Sequence, residues 1–221
     1  MSKKILTATM VFLIISVLLT SCAGNAPGFQ LGVPAGPGEV LYEDDFSRNR
    51  NGWGIMERAG GDIEIKYGGM LFSVDLPNFM FWSITGGNYR DAQVEVDTVL
   101  VEGPVDNAVG VICRYQDEDN FYGFMISHDG YYGIFKYLEG SMVMATEDGN
   151  LAYSEVIRQG GDINHIKAVC QGNELSLSVN GSLLAAVNDD SFTEGKTGLL
   201  AGSYDKPGVI VLFDNFKVVQ P

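Results

Sequence analysis

The chain has 221 residues, with 28 acidic against 14 basic side chains and a formal charge of −14. A negative surface of this strength repels phosphate backbones, which argues against nucleic acid as a partner and equally against electrostatic docking on anionic lipid head groups. Glycine is abundant at 28 residues, beside 12 Phe and 10 Tyr, and long stretches rich in Ala, Glu, Lys and Leu are missing. This is the composition of many short strands joined by tight turns.

The first residues address the compartment. Lys3 and Lys4 are followed by an apolar run from Met10 to Leu19, relieved only by Ser16, which closes on Leu19-Thr20-Ser21-Cys22. A charged start, a short apolar run and small residues at a cleavage point make a secretory leader over 1–21. The run is too short for a bilayer span, which needs about 20 apolar residues. The tetrapeptide resembles the bacterial lipobox. That resemblance implies that Cys22 carries lipid and becomes the mature N-terminus, acylation including palmitate. The product is then a cell-envelope lipoprotein, extracytoplasmic and held to a membrane through Cys22. Several acyl chains anchor stably, at about 0.8 kcal/mol per buried methylene. Removing 1–21 takes away Lys3 and Lys4 and no acid, so −14 becomes −16 over the remaining 200 residues.

Residues 23–39 hold three prolines and five glycines and read, with Cys22, as a flexible tether over 22–39. From 40 to 221 the pattern changes to short β-rich runs separated by turn signals, among them Tyr67-Gly68, Asp129-Gly130, Glu139-Gly140 and Asn180-Gly181. Along 91–100, Ala92, Val94, Val96 and Thr98 alternate with Gln93, Glu95, Asp97 and Val99, and Leu175, Leu177 and Val179 alternate with Ser176 and Ser178. Period two with one polar face is an antiparallel strand with one side in a core. About a dozen such strands and no convincing helix predict an all-β domain, a two-sheet antiparallel sandwich or jelly roll. Phe213 and Phe216 with Val209, Val211 and Val218 make a last strand suited to pair with the first, and Trp53 is placed to cover one end of the core.

Several segments together resemble the concanavalin A-like lectin/glucanase superfamily, in its laminin-G-like and bacterial lipoprotein members. They are Asp44-Asp45-Phe46 with Trp53, Tyr67-Gly68-Gly69-Met70-Leu71, residues 110–115, 119–124 and 127–136, Leu175 to Gly181, 192–199, and Phe213-Asp214-Asn215-Phe216. The superfamily hosts lectins, adhesins, enzymes and spacers, so the resemblance speaks for fold before function.

Its glucanases are similar to one another in a Glu-x-Asp-x-Glu strand, which puts the carboxylates on one face toward the sugar. Here the nearest match is Gln93, Glu95, Asp97 and Val99, in which either the first acid is an amide or the third is valine. Glu95 and Asp97 therefore read as a solvated strand face, and the chain reads as a non-catalytic module. His128 and His165 lack metal-ligand spacing and read as surface residues. Cys113 and Cys170 remain once Cys22 is lipidated. An exported pair of this kind forms a disulfide or stays as two buried thiols. The resemblance also implies a structural calcium, with Asp214 on the last strand, Asp45 near the first and the carbonyl of Gly69 as ligands. The alternative is that Asp214 accepts hydrogen bonds from turn amides.

For the ligand, a non-catalytic glycan-binding or adhesive sandwich is the first reading, with a polysaccharide held by Arg114, Tyr122, Tyr132 and Lys136 if these share one face. The plainer reading makes the tyrosines cross-strand packing partners and pairs Arg114 and Lys136 with Asp119 or Glu155. A divergent glycoside hydrolase of the same fold, or a spacer or partner-binding domain without small ligand, are the alternatives.

Overall fold

The computed structural model describes residues 35–48, 52–146 and 149–221, the side chain of Arg58 left aside. The leader over 1–21, Cys22 and the tether up to residue 34 lie outside the described residues. Strand pairing already starts in the last residues of the tether, where Gly38 N donates to Gln220 O at 2.8 Å and Gln220 N to Glu39 O at 2.9 Å.

Two antiparallel sheets form a sandwich. The nine-stranded sheet runs β14 (Ser182–Asn188), β13 (Glu174–Val179), β12 (Asn164–Gln171), β6 (Ala92–Glu102), β16 (Val209–Val219), β4 (Gly69–Val74), β3 (Gly61–Lys66) and β2 (Met56–Arg58). In addition, β1 (Val40–Asp44) pairs with β16. The seven-stranded sheet runs β10 (Ser141–Met144), β9 (Tyr131–Leu138), β8 (Asn120–Ile126), β7 (Asn107–Asp117), β15 (Lys196–Ser203) and β5 (Phe79–Ile84), with β11 (Ala152–Tyr153) on β9. The additions to the expected dozen include β2 and β11, pieces of three and two residues with too little sequence to show alternation.

Local chemistry sets the hairpins. Tyr67-Gly68, Glu139-Gly140 and Asn180-Gly181 each have positive φ at both positions and join their strands through two residues. That is the type I′ turn, whose twist matches the strands. The alternation read along 91–100 is reproduced in full, Ala92, Val94, Val96, Thr98 and Leu100 buried and the residues between them half-exposed.

The core lies between the sheets. Val94, Val96, Val211 and Phe213 from one sheet meet Val109, Val111 and Phe124 from the other. Cys113 on β7 and Cys170 on β12, both in that core, are joined as a disulfide across 57 residues of chain. On a chain-entropy model, closing such a loop contributes roughly 4 kcal/mol.

One end is closed by aromatic rings. Trp53 packs on Phe216 at 4.9 Å between centroids and on Phe46 at 5.3 Å, with Tyr42 edge-on to both Trp53 and Phe216. Asp44 sits buried among them and takes the Trp53 indole N–H at 2.8 Å and the Phe46 amide at 2.9 Å. Removing that carboxylate leaves an indole donor in an apolar site. Asp44→Ala should therefore cost about 1–3 kcal/mol in urea unfolding. Asp45→Ala, one residue on and exposed, should stay within about 0.5 kcal/mol. Equal effects would show that the aromatic closure does not depend on Asp44.

Candidate functional site

The seven-stranded sheet has two apolar faces, and neighbouring residues go to opposite ones. On β8, Tyr122, Phe124 and Ile126 join the core between the sheets, whereas Phe121 and Met125 join a second cluster on the outer face. On β9, Tyr132 and Ile134 point inward and Phe135 and Tyr137 outward. Two of the residues read as ligand-binding, Tyr122 and Tyr132, thus go to the inner face. Lys136 shares their alternation and reaches the same side.

Their polar atoms are engaged inside the protein. Tyr122 is fully buried; its hydroxyl donates to Asp189 at 2.6 Å and accepts the Phe192 amide at 3.1 Å. Burial first, and then that bond to Asp189, push the hydroxyl up to about 12. Lys136 donates to the same Asp189 and to Ser191 Oγ at 2.8 Å. Burial acts to raise the Asp189 carboxyl, yet the bonds from Lys136, Tyr122 and Ser191 prevail and hold it well below the usual carboxylate range. Tyr132 donates to Leu184 O at 3.0 Å. Arg114, 2% exposed and at φ 52°, donates to Arg90 O at 3.1 Å and Phe192 O at 2.9 Å and lies 3.4 Å from Asp91. Neither cation is paired with Asp119 or Glu155. These four residues tie the 189–195 segment and the sheet edges together and do not form one open face.

The outer face is built from the residues between them. Phe121, 0% exposed, is the centre of an aromatic platform, stacked on Tyr137 at 4.9 Å and 24°, with Trp82 at 5.4 Å and Tyr115 at 5.7 Å. Trp82, Tyr115 and Tyr137 are half-buried and carry the exposed surface; burial raises both tyrosine hydroxyls. Glycine makes the platform possible. Phe135 lies flat over its cross-strand partner Gly123, where a Cβ would come within 2.1 Å of the ring. Openings border the platform. One of about 150 Å³ is lined by Trp82, Met80 and Glu118. A second of about 280 Å³ is lined by Met80, Met125, Met142, Met144 and Tyr204. The third, of about 520 Å³, has Asp106, Asp129, Tyr131, Asn150 and Tyr204 on its walls.

The residues expected to hold calcium lie at the β1–β16 junction. Gly69 abuts Phe213 O, and Asp214 follows on the same strand. Asp45 lines a neighbouring cleft of about 330 Å³ with Asn215 and Lys217, which Asp214 and Gly69 do not line. Asp214 accepts the Asn215 amide at 2.7 Å and Asp45 the Ser47 amide at 3.0 Å. Among the described residues no group of three His, Cys, Asp or Glu is arranged to hold a metal ion. A calcium ion there would draw most of its six to eight oxygens from carbonyls and water, beside a lysine.

Glu95 and Asp97 stand on the outer face of the other sheet. His165 lies between them, its Nδ1 2.8 Å from Asp97 and its Nε2 3.7 Å from Glu95. His128 departs from the expected surface position. It has no exposed area: it stands in the turn after β8, its ring against Asn107 and its carbonyl accepting the Gly160 amide.

Comparison places the sandwich among known structures. No protein-family model and no curated protein matches the sequence. Carbohydrate binding module CBM66 from Bacillus subtilis superposes with a TM-score of 0.61 at 18% identity, over 78% of this chain and 98% of that one. The Bacillus licheniformis β-glucanase gives 0.60 at 12%, over 84% and 99%. A Bacillus subtilis protein of unknown function with a galectin-like fold gives 0.59 at 14%, over 84% and 97%. The chain has the concanavalin A-like lectin/glucanase fold. At these identities the likeness is one of fold. In this concanavalin A-like sandwich the sequence signal for the platform was present in Phe121, Tyr137 and Trp82, but their neighbours carried more polar groups and drew the reading.

Buried His128 makes stability pH-dependent. Its Nδ1 is 2.9 Å from Asn107 Oδ1, and Nε2 has no hydrogen-bond partner among the described residues. Burial lowers its pKa to about 4, against the opposing pull of Asp129, so the folded chain holds it neutral. The unfolded chain takes a proton near 6.5. The stability is therefore whole above about 6.5 and is lost as pH falls toward 4, by about 2 kcal/mol between pH 7 and pH 5. Urea unfolding at those two pH values should show that loss, and His128→Asn should shrink it. An unchanged loss in the variant would assign it to other groups.

Proposed function

We propose that this protein is a lipid-anchored, extracytoplasmic glycan-binding module that does not hydrolyse its ligand. The observation that carries the binding part is the aromatic platform of Trp82, Tyr115 and Tyr137 around Phe121 on the outer face of the seven-stranded sheet. Flat rings that are half-exposed and held in place by packing stack on the C–H faces of sugars at little entropic cost. Asn150 and the carboxylates at the openings supply acceptors for sugar hydroxyls. The likeness to a carbohydrate binding module and to a β-glucanase supports the same reading.

Charge placement speaks against hydrolysis. Retaining and inverting glycosidases alike need two carboxyl groups flanking the scissile bond. The outward strand positions of β5, β8 and β9, and of β7 from Ala108 to Ile112, carry no acid; the pair at the border of the platform is Asp106 and Asp129, of which Asp129 is engaged by the Ser127 hydroxyl. Glu95 and Asp97 belong to the other sheet and are bridged by His165.

Binding should be weak, in the millimolar to micromolar range, about −4 to −8 kcal/mol. Affinity electrophoresis on a panel of soluble polysaccharides should retard the wild type. Trp82→Ala should weaken that interaction about tenfold, with the circular dichroism spectrum unchanged. No retardation on any polysaccharide would sink the binding part. Release of reducing ends by the wild type, lost in Glu95→Gln, would replace it with the hydrolase.

The anchor rests on Leu19-Thr20-Ser21-Cys22 behind a charged start and a short apolar run. Wild-type protein made in a bacterium should take up a palmitate analogue and accumulate unprocessed under globomycin. Cys22→Ser should take up no label and stay unprocessed with or without globomycin. A wild type without label would remove the membrane from the proposal.

A further inference from the structure

The charges around the platform select among glycans. Among the residues lining the three openings on this face, the charged ones are Glu118, Asp106 and Asp129; none is Lys, Arg or His. Tyr131 and Tyr153 stand exposed beside the acidic opening, edge-to-face at 5.6 Å, so a sugar stacked there is brought up to the carboxylates. Tyr204 reports the same field from the sheet side. Its hydroxyl is pushed up to about 12 by burial first and then by Asp106 and Asp129.

Cations are kept elsewhere. Arg114 is buried against Asp91, and Lys136 is bound to Asp189 on the inward side. Lys206 is exposed on the turn beyond Tyr204 and does not line the opening. Lys196, at the start of β15, is the cation that strand alternation turns toward the outer face. It faces Tyr115 across the ladder, at the opposite end of β15 from Ser203, roughly 23 Å away at the rise of a strand. That distance exceeds the Debye length of about 8 Å at physiological salt, so Lys196 does not offset the two aspartates.

We infer that the platform takes a polysaccharide free of anionic substituents, and that Asp106 and Asp129 exclude uronate-bearing and sulfated chains. This rests on the glycan-binding reading and narrows it. Neutral sugar hydroxyls donate to the carboxylates; a ligand carboxylate or sulfate at that opening meets them as a like charge, with no arginine or lysine among the residues lining it.

The test compares each neutral polysaccharide of the panel with its own C6-oxidised, uronate-bearing form, so that backbone and linkage stay constant. At low salt the neutral form should bind at least tenfold more tightly than its oxidised form. Raising the salt should narrow that ratio, as should Asp106→Asn with Asp129→Asn. Asp106→Asn alone, in an exposed loop position, serves where the double variant does not fold. An oxidised form bound as well as its neutral parent overturns the inference and leaves glycan binding standing. A ratio that the asparagine variants do not move overturns the role of the two aspartates. Failure of every polysaccharide, neutral and oxidised, overturns the glycan reading and this inference with it.

Discussion

Strand β16 serves three partners through one inserted residue. Its first half pairs with β4, its second half with β1, and β6 runs along its other edge. Against β6 the register jumps between Asp214 and Lys217, and Asn215 takes φ 56° at that point. A bulge of this kind puts two residues opposite one and reverses which side faces in. Val209, Val211 and Phe213 are inward before it, Phe216 and Val218 after it. Without the bulge Phe216 would face solvent, and Trp53, Phe46 and Tyr42 would lose the ring on which they close the core. Fully burying a ring of that size contributes about 1.5–3 kcal/mol. Both ends of the domain depend on it, since β1 brings in the N-terminal strand and β16 is the last.

The seven-stranded sheet is apolar on both sides, which is unusual for a sheet with one face toward water. Its inner side is the core. Its outer side carries aromatic and methionine side chains laid over glycines, Phe135 over Gly123 and Met144 over Gly133. Those glycines contribute no packing of their own and weaken the strands they sit in. Their use is to let large rings lie flat and form a continuous surface. Trp82, Tyr115 and Tyr137 carry the exposed part of that surface, on an otherwise acidic protein. The same alternation moves Tyr122 and Lys136 to the inside, where with Asp189 they fasten the segment leading into β15.

Charge is distributed unevenly over that outer face. The platform itself is neutral, and the carboxylates stand at its openings. On the opposite sheet His165 bridges Glu95 and Asp97, so those acids serve the strand face on which they stand.

The sequence by itself determined the all-β class, the period-two faces, the two-residue hairpins at Tyr67-Gly68, Glu139-Gly140 and Asn180-Gly181, and the pairing of last strand with first. These are local properties, set by neighbours two residues apart and by backbone angles that glycine and asparagine tolerate. Tertiary structure alone decided which side of each strand is the inside. In 121–126 both alternating sets are aromatic or apolar, so periodicity could not choose between Phe121 and Tyr122, and the polar hydroxyl of Tyr122 suggested a site where there is a buried bond to Asp189. It decided likewise that His128 is enclosed, that Arg114 caps carbonyls of residues 24 and 78 positions away in the chain, and that Asp106 and Asp129 meet at one opening. Each of these depends on contacts between distant segments, and the energy that fixes them is that of burial, which a residue acquires only when the partner strand has arrived.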